Sequence, residues 1–146
     1  MRILLFVALG GALGSLARYL VGGWAYSLTN TSTFPIGTLV VNLAGCFVIG
    51  LLSGLGETHK FLTPQMRALL IVGVLGGFTT FSAFGNETFT LLRNGQMALA
   101  LVNVGLQLVI GLLAVGAGYA LSRVFWPLSF FTPFRLNKEK RRTITA

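Results

Sequence analysis

With 146 residues, 54% of them hydrophobic and only 10% charged, the chain departs sharply from a soluble domain, in which about a quarter of residues carry charge. One domain of this size cannot hide so much apolar surface, so lipid is the expected solvent and a soluble fold is excluded. The net charge of +8 comes from scattered Arg and a basic C-terminal end, the pattern of membrane-flanking residues and not of a nucleic-acid surface.

A membrane-crossing helix needs about 20 mostly apolar residues. Four windows qualify: Ile3–Gly23, Ile36–Leu55, Ala68–Leu92 and Met97–Leu121. The first mimics a signal peptide, with Arg2, an apolar stretch to Ala17, and Gly11, Ala12 and Gly14 as a small-residue cleavage site. Three further apolar segments follow it, so it reads as the first span. "SLTNTSTFPIG" holds polar residues and Pro35 and predicts a loop with a fresh helix start at Ile36. In "ETHKFLTPQMR", Thr63 can cap a helix that has Pro64 in its first position. "RNGQ" predicts a tight turn, with Asn94 and Gly95 ending the third helix. These elements assign 1–125 to a four-helix membrane domain and 126–146 to a basic tail. Four spans put both termini on one side, together with Lys60 and Arg67. Arg2, Arg123 and the tail add to that side and leave little beyond Arg93 on the other, so the termini are expected in the cytoplasm. The chain is thus expected to be a multi-pass protein of the plasma membrane, or of the inner membrane of a cell that has two.

Polar groups at membrane depth each ask for a reason. Arg18, late in the first span, either snorkels to the interface or lines a water-filled vestibule that attracts anions. Asn42 either bonds between helices or offers an amide N–H to a pore. Asn103 and Gln107 are four residues apart, and Gly111 continues their face. That stripe is interhelical glue or a polar track. The stretch "GGFTTFSAFGNETFT", Gly76–Thr90, places glycines, threonines and a serine inside an apolar span. Such residues weaken a helix and predict a break, tolerated at this depth only where it is buried in protein or faces water. Carbonyls freed at a break can coordinate a cation. Phe81 and Phe84, three apart, share a helix face, and aromatic edges carry partial positive charge. Glu87 reads as an interfacial carboxylate near the helix end, Cys46 as an inert packing residue, and His59 has no role. Without a nucleotide loop, metal-ligand cluster or nucleophile constellation, an enzyme is not expected.

Three motifs together resemble a known family, the small fluoride channels called Fluc or CrcB: "GGALGSLARY" at Gly10–Tyr19, "PIGTLVVNLAG" at Pro35–Gly45 and "GGFTTFSAFGNE" at Gly76–Glu87. The resemblance covers the four-helix region and stops near Phe125. It implies a passive fluoride-selective channel that protects the cytoplasm from fluoride, built as an antiparallel homodimer with two pores. It implies Asn42 as a pore amide, Phe81 and Phe84 as ring edges that meet the anion, and Thr38 and Ser82 along the same route. It also implies backbone carbonyls of Gly76 and Thr79 from both subunits around a structural sodium ion, and Arg18 facing a vestibule. Asn103, Gln107 and Gly111 stand where the family often carries a Tyr and Ser hydroxyls; the two amides are also able to donate to fluoride. The basic tail is a second departure. Dual insertion calls for weak charge bias, and three readings stay open: the tail biases insertion, Arg18 and Arg93 offset it, or a heteromeric partner is involved. The competing functions are a small proton-coupled cation exporter and a non-conducting accessory subunit. An exporter needs a membrane-buried carboxylate, typically in the first helix, and helix one has no Asp or Glu.

Overall fold

The computed structural model describes residues 1–29, 33–58 and 63–125; the tail 126–146, His59 and Lys60 lie outside them. The described chain is all helical, and four of its helices are long and apolar enough to cross a membrane. Span one is Arg2–Leu28 and span two Ile36–Thr58. Span three covers Pro64–Arg93. Span four comprises Met97–Gly105, Leu106–Ile110 and Gly111–Phe125.

Local chemistry sets several boundaries where the sequence predicts them. Thr63 caps span three, its hydroxyl accepting the Met66 N–H at 3.2 Å, with Pro64 in the first turn, where its missing N–H is not needed. Span three ends in a Schellman turn: Gln96 N–H donates to Leu91 O at 2.9 Å and Gly95 N–H to Leu92 O at 3.0 Å. Gly95 has φ +74°, a conformation that other residues rarely adopt. Span one runs five residues past the predicted Gly23. Its last turns pack on the start of span two, where a Cβ on Gly37 would meet the Tyr26 ring and, at 2.9 Å, Gly22 O. Tertiary contact there overrides the weak helix preference of Gly22 and Gly23.

Span three is broken. Gly76–Phe78 closes its first half, Thr79 (ψ 156°) and Thr80 (φ −152°, ψ 117°) are extended, and Phe81–Arg93 starts a new helix. Threonines finish both ends. Thr79 N–H and Oγ1 each donate to Leu75 O at 2.9 Å, and Thr80 Oγ1 accepts the Ala83 N–H at 3.2 Å as an N-cap. Ala68–Leu75 and Leu106–Ile110 widen into π-helical turns, which the apolar pattern does not signal.

The spans pair through glycines spaced four apart. Spans two and four pack most extensively, followed by span one against the first half of span three. Between spans one and three, a Cβ on Gly10 would sit 2.9 Å from Gly73 Cα, and one on Gly14 would meet Val74 O and sit 2.8 Å from Phe78 N. Between spans two and four, a Cβ on Gly118 would meet Phe47 O and sit 2.9 Å from Leu51 N. Lipid supplies no hydrophobic drive between helices, so close backbone approach of this kind is what holds them. Outward faces carry leucines such as Leu4, Leu13 and Leu112, each at least 60% exposed, as a surface bathed in hydrocarbon or covered by another apolar chain requires.

Gly14→Val is expected to destabilise the fold by about 2–3 kcal/mol, at the upper end of overpacking because it strikes backbone. Gly116→Ala, with open space at its Cβ, is expected to stay within about 0.5 kcal/mol of the parent. Thermal unfolding in detergent, followed by size-exclusion chromatography, measures both.

Candidate functional site

The break takes the Thr80 N–H out of the helical ladder, and one side chain meets both that N–H and the Thr80 carbonyl, which as N-cap also opens the new helix. Asn42, half-buried on span two, accepts the Thr80 N–H on Oδ1 at 2.9 Å and donates Nδ2 to Thr80 O at 3.1 Å. Its second amide hydrogen goes to Gln107 Oε1 on span four, also at 3.1 Å. A single amide therefore ties spans two, three and four together at the break, and both of its N–H groups are spent within the protein.

In a continuous α-helix, the Thr80 N–H would go to Gly76 O and the Ala83 N–H to Thr79 O. Here they go to Asn42 Oδ1 and Thr80 Oγ1. Gly76 and Thr79 are thus the two residues whose carbonyls lose their helical donors to side chains. Both line a cavity of about 410 Å³ with Asn42, Gln107, Phe81 and Phe84, and Gly76 is exposed.

Phe81 and Phe84 touch, with ring centroids 5.4 Å apart and planes tilted by 57°. Phe84 is 9% exposed and Phe81 80%, so the pair bridges the interior and the outer face of the chain. Ser82 is exposed, and its hydroxyl lies 3.1 Å from Thr80 Oγ1, beside the cap. A second cavity of about 570 Å³ is lined by Arg18, Tyr26, Thr38 and, again, Thr80. Thr80 therefore borders both cavities, and half-buried Arg18 supplies a positive charge to the second.

Two features escape a reading of the sequence. Glu87 is not a free interfacial carboxylate: Thr38 Oγ1 donates to its Oε1 at 2.6 Å, while Oε2 is buried without a protein partner. The available signal was its place in "GGFTTFSAFGNE", inside a span whose other charged residues, Arg67 and Arg93, stand near its ends. The second feature is that Asn103 and Gln107 act in different places. Asn103 is fully buried, its Nδ2 donating to Thr88 Oγ1 at 2.9 Å, and Thr88 in turn bonds to Phe84 O at 2.8 Å. Gln107 falls in the π-helical turn, so a four-residue step there no longer repeats the same face as it does in an α-helix. Asn103 joins the halves of the hairpin between spans three and four, and Gln107 turns to Asn42.

Four membrane-length helices, the third broken midway and bordered by two cavities, define a multi-pass membrane protein with polar groups gathered at membrane depth. The family model described as "CrcB-like protein, Camphor Resistance (CrcB)" matches residues 5–119, and the chain belongs to that family. It is 44% identical over 120 residues to a protein of Methylobacillus flagellatus named fluoride-specific ion channel FluC, covering 82% of this chain and 94% of the relative. Proteins of the same name from Maridesulfovibrio salexigens and Acidobacterium capsulatum are 45% and 46% identical over 120 and 114 residues. They cover 82% and 78% of this chain and 94% and 90% of their own lengths. Four spans and this family make the chain a multi-pass protein of the bacterial plasma membrane.

Asn42→Ala removes the acceptor for the Thr80 N–H and both donors without adding a charge. It is expected to lower stability by about 1–2 kcal/mol, read as a shift in the denaturant midpoint in detergent.

Proposed function

We propose that the chain is one subunit of a passive fluoride-selective channel that lets the cytoplasm shed fluoride and so protects the cell from it. The observation that carries this reading is identity of 44–46% along at least 90% of relatives named fluoride-specific ion channels. The geometry supports it. A small, strongly hydrated anion must exchange its water for closely spaced donors, and neutral N–H and O–H groups cluster at the break beside two aromatic rings. Arg18 in the second cavity attracts anions, while Phe81 and Phe84 offer positive ring edges without a formal charge that would trap the ion. Thr38, Ser82 and Gln107 extend the polar route, and Asn103 braces the helix that carries Phe84. The competing exporter lacks its coupling acid in span one.

The working unit in this reading is an antiparallel homodimer. A broken helix is stable in a bilayer only when protein or water covers the break, and Gly76 and Phe81 are exposed on the single subunit. A two-fold partner covers them and brings a second Gly76 and Thr79 alongside. Their carbonyls, stripped of helical donors, fit an oxygen cage for a hard cation, and sodium is the ion we assign. When bound, it would neutralise the converging carbonyl dipoles and lock the two breaks together.

Liposomes loaded with fluoride and given a potassium ionophore are expected to empty through the purified protein much faster than chloride-loaded ones, with no need for a proton gradient. Equal chloride flux would refute the reading. In the same assay, Phe81→Leu and Phe84→Leu are expected to lose flux while remaining dimers. Hydrophobic swaps of similar volume usually cost under about 1.5 kcal/mol in packing, so full flux in both would show that the rings only fill space.

Gly76 offers a separate test of the dimer. Within one subunit a Cβ there has room, its nearest neighbour being Ile71 O at 3.8 Å. Gly76→Val is expected to leave the subunit folded but to release monomer on size-exclusion chromatography and abolish transport. Unchanged dimer and flux would rule out a tight carbonyl cage at this position.

A further inference from the structure

We infer that the side-chain amide that meets the anion at the break is Gln107, and that Asn42 is the residue that aims it. The inference rests on the fluoride reading and deepens it. A chain of hydrogen bonds fixes every orientation in turn. Thr80 N–H can only donate, so the Asn42 atom facing it is the oxygen Oδ1, at 2.9 Å. Nδ2 then faces Thr80 O at 3.1 Å, and its second hydrogen points at Gln107. An N–H must meet an acceptor, so Gln107 turns Oε1 toward Asn42 and Nε2 away from it. Flipping either amide would set donor against donor or acceptor against acceptor.

Asn42 is thereby closed as an anion donor, because both of its hydrogens are used. Gln107 Nε2 is the opposite case: it is buried and bonds to nothing in the protein. A buried N–H left without a partner is unfavourable, and a hydrogen bond to a charged group is among the stronger kinds. Gln107 lines the 410 Å³ cavity with Phe81 and Phe84, the rings assigned to the anion path. A dehydrated donor held in place before the ion arrives suits a small, strongly hydrated anion. Asn42 is therefore a positioning residue whose influence on the ion passes through Gln107.

The two assignments predict opposite outcomes for Gln107→Met. If Gln107 is the donor, fluoride flux falls roughly 10- to 100-fold, the equivalent of one hydrogen bond to an ion, although Asn42 is intact. If Asn42 is the donor, the substitution frees one of its hydrogens and flux is kept or rises. Gln107→Leu, which likewise removes the N–H and adds no charge, guards against a Met variant that fails to fold; the same fall in flux is expected. A readout independent of transport uses the ¹⁵N-labelled parent protein in detergent. Added sodium fluoride should move the Gln107 side-chain amide protons downfield and leave those of Asn42 in place, and sodium chloride should move neither. Movement of the Asn42 protons instead, or flux within twofold of the parent in both variants, overturns the assignment. Parent protein that passes no fluoride overturns the channel reading itself and is distinguished before any variant is compared.

Discussion

Everything at the centre of this molecule depends on one amide accepting and donating to the same residue of a broken helix. Interrupting span three at Thr79 and Thr80 exposes backbone polar groups in a medium that cannot solvate them. Asn42 meets the Thr80 N–H and C=O together, much as a neighbouring strand would. The break is thereby confined to two residues, and the helix restarts at once because Thr80 caps it. The same contact fixes the separation of spans two and three at this level and, through Gln107, engages span four. An apolar side chain at position 42 would leave the break to find water or revert to helix.

The glycine seams make that contact possible. Asn42 has a short side chain and reaches Thr80 only because the surrounding backbones approach closely. Gly45, one turn on from Asn42, has no room for a Cβ against the Thr79 methyl. Spans one and three and spans two and four form two tight pairs, while the second half of span three packs chiefly on the start of span four. The break thus lies where a tightly paired half-helix hands over to a loosely held one.

Much of this was legible in the sequence, and the part that was not has a common cause. Four spans, the Thr63 cap, the Gly95 turn and the weakened stretch after Gly76 are all local properties, set by hydropathy or by the φ a residue tolerates. The extension of span one to Leu28 was not, because Gly22 and Gly23 behave as a helix end unless Tyr26 and Gly37 are known to meet. The pairing of Thr38 with Glu87 joins residues 49 apart, and no periodicity encodes it. An amide at membrane depth singles out Asn42, but its two partners lie beyond the reach of the sequence. α-Helical spacing places Asn103 and Gln107 on one face, and the π-helical turn between Leu106 and Ile110 separates them.

That wide turn also shapes how the chain can change its length. A π-turn holds one residue more than the α-helix on either side and keeps both flanks in register. Deletion of one residue within Leu106–Ile110 is therefore absorbed where it occurs, leaving Asn103 on Thr88 and Gly118 in its seam while re-aiming the residue that faces the cavity. A deletion in the regular winding just below would rotate the rest of span four by about 100° and swing Gly118 out of contact with span two. Span four thus has one place at membrane depth where its length can drift, and that place holds Gln107, the amide beside the cavity.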